Sequence, residues 1–191
     1  MRVGLFGGSF NPAHEGHAHV AETARRRLRL DRVIWLVSPQ NPLKSRHETA
    51  DLAERMAGAR RLARGPGMIV TDLETRLGSA YTIDTVRALQ SARPGAQWFL
   101  VIGQDQYAGF DTWQGWQELL ARTTLAIAAR PDAGTAVDPQ LRAAAHAAVV
   151  LPMMDVSSTE IRRRVFSGLG ITDLVPPAVA SYIARHHLYQ D

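Results

Sequence analysis

Six short apolar runs, at residues 3–6, 33–37, 68–71, 97–102, 125–129 and 149–151, punctuate the chain from end to end. The second, Val33-Ile34-Trp35-Leu36-Val37, is apolar throughout, the pattern of a strand buried on both faces of a parallel sheet. Helical periodicity fills the gaps. Val20, Ala21, Ala24 and Leu28 form one stripe, Leu52, Met56, Ala59 and Leu62 a second, and Ile83, Val86 and Leu89 a third. Strands alternating with helices predict an α/β fold, a doubly wound parallel sheet of about five to six strands with right-handed crossovers. Ligands of such sheets bind beyond the carboxyl ends of the strands, where the strand order reverses. The loops expected to converge there begin at Gly7, Ser38, Gly103 and Pro152.

Local signals set provisional boundaries. The first helix is expected from Glu15 or Gly16 to about Arg29, and the second behind an N-cap at Thr49. Residues 72–79 read as a polar turn and Thr82 as the next cap, with Trp113 and Trp116 on a short helix beside Leu119 and Leu120. An alanine-rich helix is expected around 141–147, a helix capped by Ser157 runs to about Ser167, and Pro176-Pro177 opens a last one. A length of 191 residues with 46% hydrophobic content is expected to make one domain, residues 1–191, helical from about residue 157 onward.

Composition removes several classes of chemistry. With no cysteine, disulfides, thiolate catalysis and cysteine-ligated zinc are excluded. The formal charge of +4 suits anionic small molecules and nucleic acid alike and decides neither, but no basic run interleaves with aromatics, so nucleic acid is not an expected partner. The Arg25-Arg26-Arg27 run fits a solvated helix face. The first apolar run is too short for a signal peptide and no stretch approaches a membrane span, so the expected setting is the cytoplasm, away from membranes.

The chemistry is concentrated at two places. After the first strand come Gly7-Gly8, the turn formers Ser9, Asn11 and Pro12, and then His14 and His17, three apart at a helix entrance. Glycines allow close approach of backbone N–H groups to an anion, the helix N-terminus favours negative charge, and both imidazoles can donate to one phosphate. The glycine spacing is neither a dinucleotide-binding G-x-G-x-x-G nor a P-loop. A metal site at His14, His17 and His19 lacks the glutamate placement of a zincin helix. The second place is Ser157-Ser158-Thr159-Glu160 with Arg162 a turn later. Ser157 and Glu160 fit a capping box, while three hydroxyls and an arginine in one turn also fit a polyphosphate cradle; spacing alone leaves both readings open.

Together the two stretches resemble a known family. Gly7-Gly8-Ser9-Phe10-Asn11-Pro12-Ala13-His14-Glu15-Gly16-His17 is similar to the G-x-F-x-P-x-H-x-G-H signature of the HxGH nucleotidyltransferase superfamily, and Val156-Ser157-Ser158-Thr159-Glu160-Ile161-Arg162 to its I-S-S-T-x-I-R signature. Within it the chain most resembles the bacterial nicotinate-nucleotide adenylyltransferases, through the S-P-x-x-P-x-K loop ending at Lys44, Tyr81-Thr82-Ile83-Asp84-Thr85, and Gly103-x-Asp105 followed by Trp113. Asn11, where many members have Asp, and Gln104, where Ala is usual, depart from the pattern.

The resemblance implies a Rossmann-like fold and transfer of AMP from ATP to nicotinate mononucleotide, giving deamido-NAD and pyrophosphate in NAD biosynthesis. It implies that His14, His17 and Arg162 are catalytic. Gly7, Gly8, Ser9, Phe10, Gly103, Asp105, Ser157, Ser158 and Thr159 would join them around ATP. Asn11, Lys44, Tyr81, Thr82, Thr85 and Trp113 would meet the acceptor, with Trp113 stacked on its ring. Mg²⁺ would accompany ATP through phosphate oxygens and water, without a dedicated protein ligand. Other acceptors (nicotinamide mononucleotide, phosphopantetheine, a polyol phosphate), a non-catalytic nucleotide-binding regulator, and either a monomer or a homodimer stay open.

Overall fold

The first apolar run becomes the centre of the sheet. In the computed structural model, which describes residues 1–39, 49–129, 139–143 and 148–190, strand β1 (Arg2–Gly8) is flanked by β2 (Arg32–Val37) on one side and β4 (Gln97–Gly103) on the other. The strand order is β3-β2-β1-β4-β5-β6, all parallel, with β3 at Met68–Thr71, β5 at Thr124–Ala129 and β6 at Ala148–Pro152. The chain winds outward from β1 to β3, returns beside β1 as β4, and winds outward again to β6. The order therefore reverses between β1 and β4, which places the ligand crevice above Gly8 and Gly103.

Side-chain alternation builds two cores, one on each face of the sheet. Phe6, Val33, Trp35, Val37, Phe99 and Val101 point to the face covered by α1 (Glu15–Arg27), α2 (Leu52–Leu62), α8 (Ser158–Phe166) and α9 (Pro177–Arg185). Val3, Leu5, Leu36, Trp98, Leu100 and Ile102 point to the other, under α4 (Thr82–Ala92) and α6 (Trp116–Arg122). The expected doubly wound sheet forms with six strands. No helix among the described residues is long and apolar enough to cross a membrane.

Several boundaries move for identifiable reasons. Asp51, not Thr49, precedes α2, because its carboxylate and that of Glu54 form a reciprocal capping box; Thr49 is buried instead. The expected turn at 72–79 contains a short helix, α3 (Leu73–Leu77), closed by Gly78 in the left-handed conformation and braced by an Asp72–Arg76 ion pair of 3.0 Å. Thr82 is the first residue of α4 and not its cap; Tyr81 holds the extended cap position, its N–H donating to Ser79 Oγ. Trp113 follows a 3₁₀ turn at Phe110–Thr112 and lies ahead of the helix that Trp116 opens. The remaining short helices are α5 (Gln104–Ala108) and α7 (Pro139–Ala143); residues 144–147 of the expected alanine-rich helix lie outside the described residues.

Candidate active site

The histidine pair is locked by its own helix start. His14 is the N-cap of α1, extended at φ −143°, ψ 173°, and its backbone N–H donates to His17 Nδ1 at 3.2 Å. That bond uses the lone pair of Nδ1, so neutral His17 carries its proton on Nε2, the tautomer of a donor. The two rings lie 3.8 Å apart, tilted by 36°. Gly16 makes this possible: a Cβ there would sit 3.0 Å from both Cε1 and Nδ1 of His14. Burial lowers the His14 pKa to about 4, and burial together with the neighbouring His14 lowers that of His17 well below its usual range. Both rings are therefore neutral near pH 7 in the free protein, and His14 Nδ1 is buried without a partner among the described residues. An arriving phosphate would find donors that need no counter-charge removed first.

The turn between β1 and α1 is a buried hub. Phe10, at φ 47°, packs against Phe6, Trp35 and His17, its ring 5.0 Å from the His17 centroid. The ring of Phe10, a residue expected at ATP, is 1% exposed and forms the floor under His17. The side chain of Asn11, expected at the acceptor, is buried as well, and its Oδ1 accepts from the Ala50 N–H at 3.0 Å and the Tyr189 hydroxyl at 2.8 Å. The Asn11–Pro12 peptide is cis. Arg55, at 2% exposure, donates to the carbonyls of Ala50, Ser9 and Ser38 at 2.9 to 3.0 Å, tying the ends of β1 and β2 to the start of α2.

The second stretch closes on the same turn. Ser157 caps α8 by accepting from the Glu160 N–H at 3.2 Å. Glu160 does not return the bond: its carboxylate is drawn to Arg163 and Arg164, which hold its pKa near 2. The Ser158 hydroxyl donates to the Pro12 carbonyl at 2.9 Å, and Arg162 donates to the Asn11 carbonyl at 2.8 Å and to Thr159 Oγ1 at 3.3 Å. The Ser158 proton is thus engaged within the protein. What α8 presents to an anion is its first-turn amides, the exposed Thr159 and the remaining guanidinium donors of Arg162.

A cavity of about 430 Å³ opens at the strand-order reversal. Gly7, Gly8 and Ser9 form one wall and Tyr81, Thr82 and Trp113 another, so six expected site residues meet there. Trp113 stands against Phe110, ring centroids 5.1 Å apart. Gly103 caps α5, and Asp105 lies exposed in its first turn, next to the Gln106 that lines the cavity. Thr85 is wholly buried, does not line the cavity, and leaves its hydroxyl without a partner among the described residues. Lys44 lies outside the described residues.

Two residues that the sequence did not single out contribute here. Arg55 falls on the 52-56-59-62 stripe of α2, so a cation on a core-facing stripe was the available signal. Glu74, on the five-residue α3, lines the cavity at 7% exposure, and burial raises its pKa to about 7. Nothing in the local pattern marked it. The described residues gather no cluster of three His, Asp or Glu able to hold a metal.

The pattern of the Cytidylyltransferase-like family matches residues 5–164. A protein of Caulobacter sp. strain K31 is 62% identical over 149 residues, 77% of this chain and 79% of that protein. One of Methylibium petroleiphilum is 43% identical over 198 residues, covering 98% and 92%. Both carry the name "Probable nicotinate-nucleotide adenylyltransferase". In fold, the chain is similar to a nicotinic acid mononucleotide adenylyltransferase of Plasmodium falciparum complexed with NaAD, with a TM-score of 0.78 at 17% identity over 98% of this chain and 97% of that one.

Proposed function

The chain belongs to the Cytidylyltransferase-like family, in its nicotinate-nucleotide adenylyltransferase branch, and we propose that it transfers the adenylyl group of ATP to nicotinate mononucleotide. A phosphate oxygen of the acceptor bonds to the α-phosphorus, the bond to the β-phosphate breaks, and pyrophosphate and deamido-NAD leave. The observation that carries this reading is the latch between the two stretches: Ser158 on Pro12 and Arg162 on Asn11 bring the N-termini of α1 and α8 to one turn. ATP would lie along that turn and the acceptor in the adjoining cavity.

Such a transfer needs no covalent intermediate, and alignment with charge neutralisation supplies the acceleration. His17, with its proton on Nε2 and Phe10 beneath it, would donate to the α-phosphate as charge builds there, with His14 beside it. Thr159, Arg162 and the first-turn amides of α8 would take the β- and γ-phosphates. Gly103 and Asp105, at the start of α5, would face the adenosine, and Thr82 and the N-terminus of α4 the acceptor's carboxylate, with its ring on Trp113. Mg²⁺ is proposed as the companion of the triphosphate, held by phosphate oxygens and water, where it neutralises charge on the leaving pyrophosphate. Working on ATP and a mononucleotide, the protein would act in the cytoplasm.

Pyrophosphate release measured with nicotinate mononucleotide, nicotinamide mononucleotide, phosphopantetheine and a polyol phosphate tests the assignment. The nicotinate form should give the highest kcat/KM, and equal or better turnover on another acceptor would overturn it. Removing one well-aimed donor to developing charge lowers kcat by about 10² to 10³, so His17→Ala should fall at least that far while its melting curve stays cooperative. Activity within a few-fold of wild type would remove His17 from the α-phosphate.

A further inference from the structure

We propose that Glu74 selects a positively charged ring in the acceptor cavity, its carboxylate pairing with the pyridinium charge of a pyridine mononucleotide. The inference deepens the acceptor reading above and rests on it. The described lining of the cavity contains no Lys, Arg or His, and Glu74 is the one carboxyl group in it. Its surroundings are largely apolar: Leu36, Leu100, Ile102 and Trp113 also line the cavity, and Glu74 itself is 7% exposed.

Charges on the neighbouring elements are engaged elsewhere. On α3 itself, Asp72 and Arg76 pair with each other. On α4, which packs against α3, Asp84 is held by Ser79 and Arg87, and Arg87 also reaches Glu118. β2, the other element packed on α3, contributes no ionisable group to the cavity. Glu74 therefore has no cationic partner among the described residues. Isolation of this kind is unfavourable for a carboxylate, and burial alone lifts the Glu74 pKa to about 7.

A flat cation entering the cavity reverses that balance. Its charge supplies the missing counter-ion, and Trp113, which also lines the cavity, has a π system that favours a cation over a neutral ring. Two groups of different chemistry thus favour one property of the ligand. A pyridine mononucleotide has it, because the ring nitrogen bonded to ribose is quaternary. The ring loses that charge on reduction to the dihydropyridine, with almost no change in size.

That pair of ring states provides the test. Nicotinate mononucleotide and its dihydro form are titrated into wild type, Glu74→Gln and Glu74→Asp by calorimetry, without ATP, so binding is read apart from turnover. Wild type should bind the oxidised form at least about tenfold more tightly, as one compensated charge in a half-buried site implies. Glu74→Gln keeps the shape and removes the charge, and its preference should shrink to the few-fold left by Trp113. Glu74→Asp should keep most of the preference. An oxidised-to-reduced ratio unchanged in Glu74→Gln would overturn the inference while leaving adenylyl transfer to nicotinate mononucleotide standing. A wild type that binds neither form would overturn this inference and the acceptor reading together.

Discussion

Acidification should destabilise this protein through its histidine pair, by an amount set by the burial of His14. Burial takes the His14 pKa from 6.5 to about 4, so between those values the unfolded chain binds a proton that the native one refuses. Stability is unaffected by this group above pH 6.5, falls as pH drops through the window, and reaches its full penalty below pH 4. A shift of ~2.5 units is worth ~3 kcal/mol in full, and ~2 kcal/mol of it should already be lost on going from pH 7.5 to 5. His17 titrates in the same direction, and relief of the His14 charge would raise its pKa, so both effects favour a variant lacking His14 at low pH. Urea unfolding of wild type and His14→Asn across pH 5 to 7.5 measures the difference directly. The wild-type curve should drop ~2 kcal/mol further than the variant's. Curves that stay parallel within ~0.5 kcal/mol would refute the claim that a neutral, desolvated His14 is built into the native state.

Two further substitutions probe how the turn is held. Arg55→Leu leaves the buried Ala50 carbonyl and the part-buried carbonyls of Ser9 and Ser38 without their Arg55 donor, and at ~1–3 kcal/mol for the buried group and less for the other two the loss should be ~2–3 kcal/mol by chemical denaturation. A loss below ~1 kcal/mol would show that the guanidinium does not hold the loop. Tyr189→Phe removes one of two donors to Asn11 Oδ1 while keeping the ring in the core, so ~1–2 kcal/mol should disappear from the unfolding free energy. If the contact also aligns the loop, KM for ATP rises in the same variant.

Fold and site were legible in the sequence to different depths. Parallel strands announce themselves because burial on both faces demands continuous apolar runs, and all six emerged near their expected positions. The helix starts proposed to bind anions are also local: glycine, cap and histidine spacing are properties of a dozen consecutive residues. Short elements were less visible, since five residues of α3 carry too little periodicity to separate a helix from a turn. Side-chain direction was legible only where partners lie close in sequence. The side-chain partner of Asn11, Tyr189, is 178 positions away, and no local pattern announces it. Glu74 entered the cavity through the packing of α3, which no local pattern encodes.

The same distance between motif and wiring explains why Ser158 serves as a latch while Arg162 is proposed to carry two duties. An isolated helix N-terminus with hydroxyls and an arginine can hold a triphosphate, but its donors would still need aligning with those of a second helix. Here Ser158 and Arg162 each give one donor to a carbonyl of the 11–12 turn, and that turn leads directly into His14. Fixing α8 to the turn therefore fixes it to the histidines, at the expense of a hydroxyl proton that phosphate would otherwise take. A side chain that only bound phosphate would leave α1 and α8 free to shift relative to each other. One that only latched them would leave the β- and γ-phosphates to the amides and Thr159. Arg162 can do both because a guanidinium has five N–H donors in a fixed plane, and the bonds to Asn11 and Thr159 leave others available for the triphosphate.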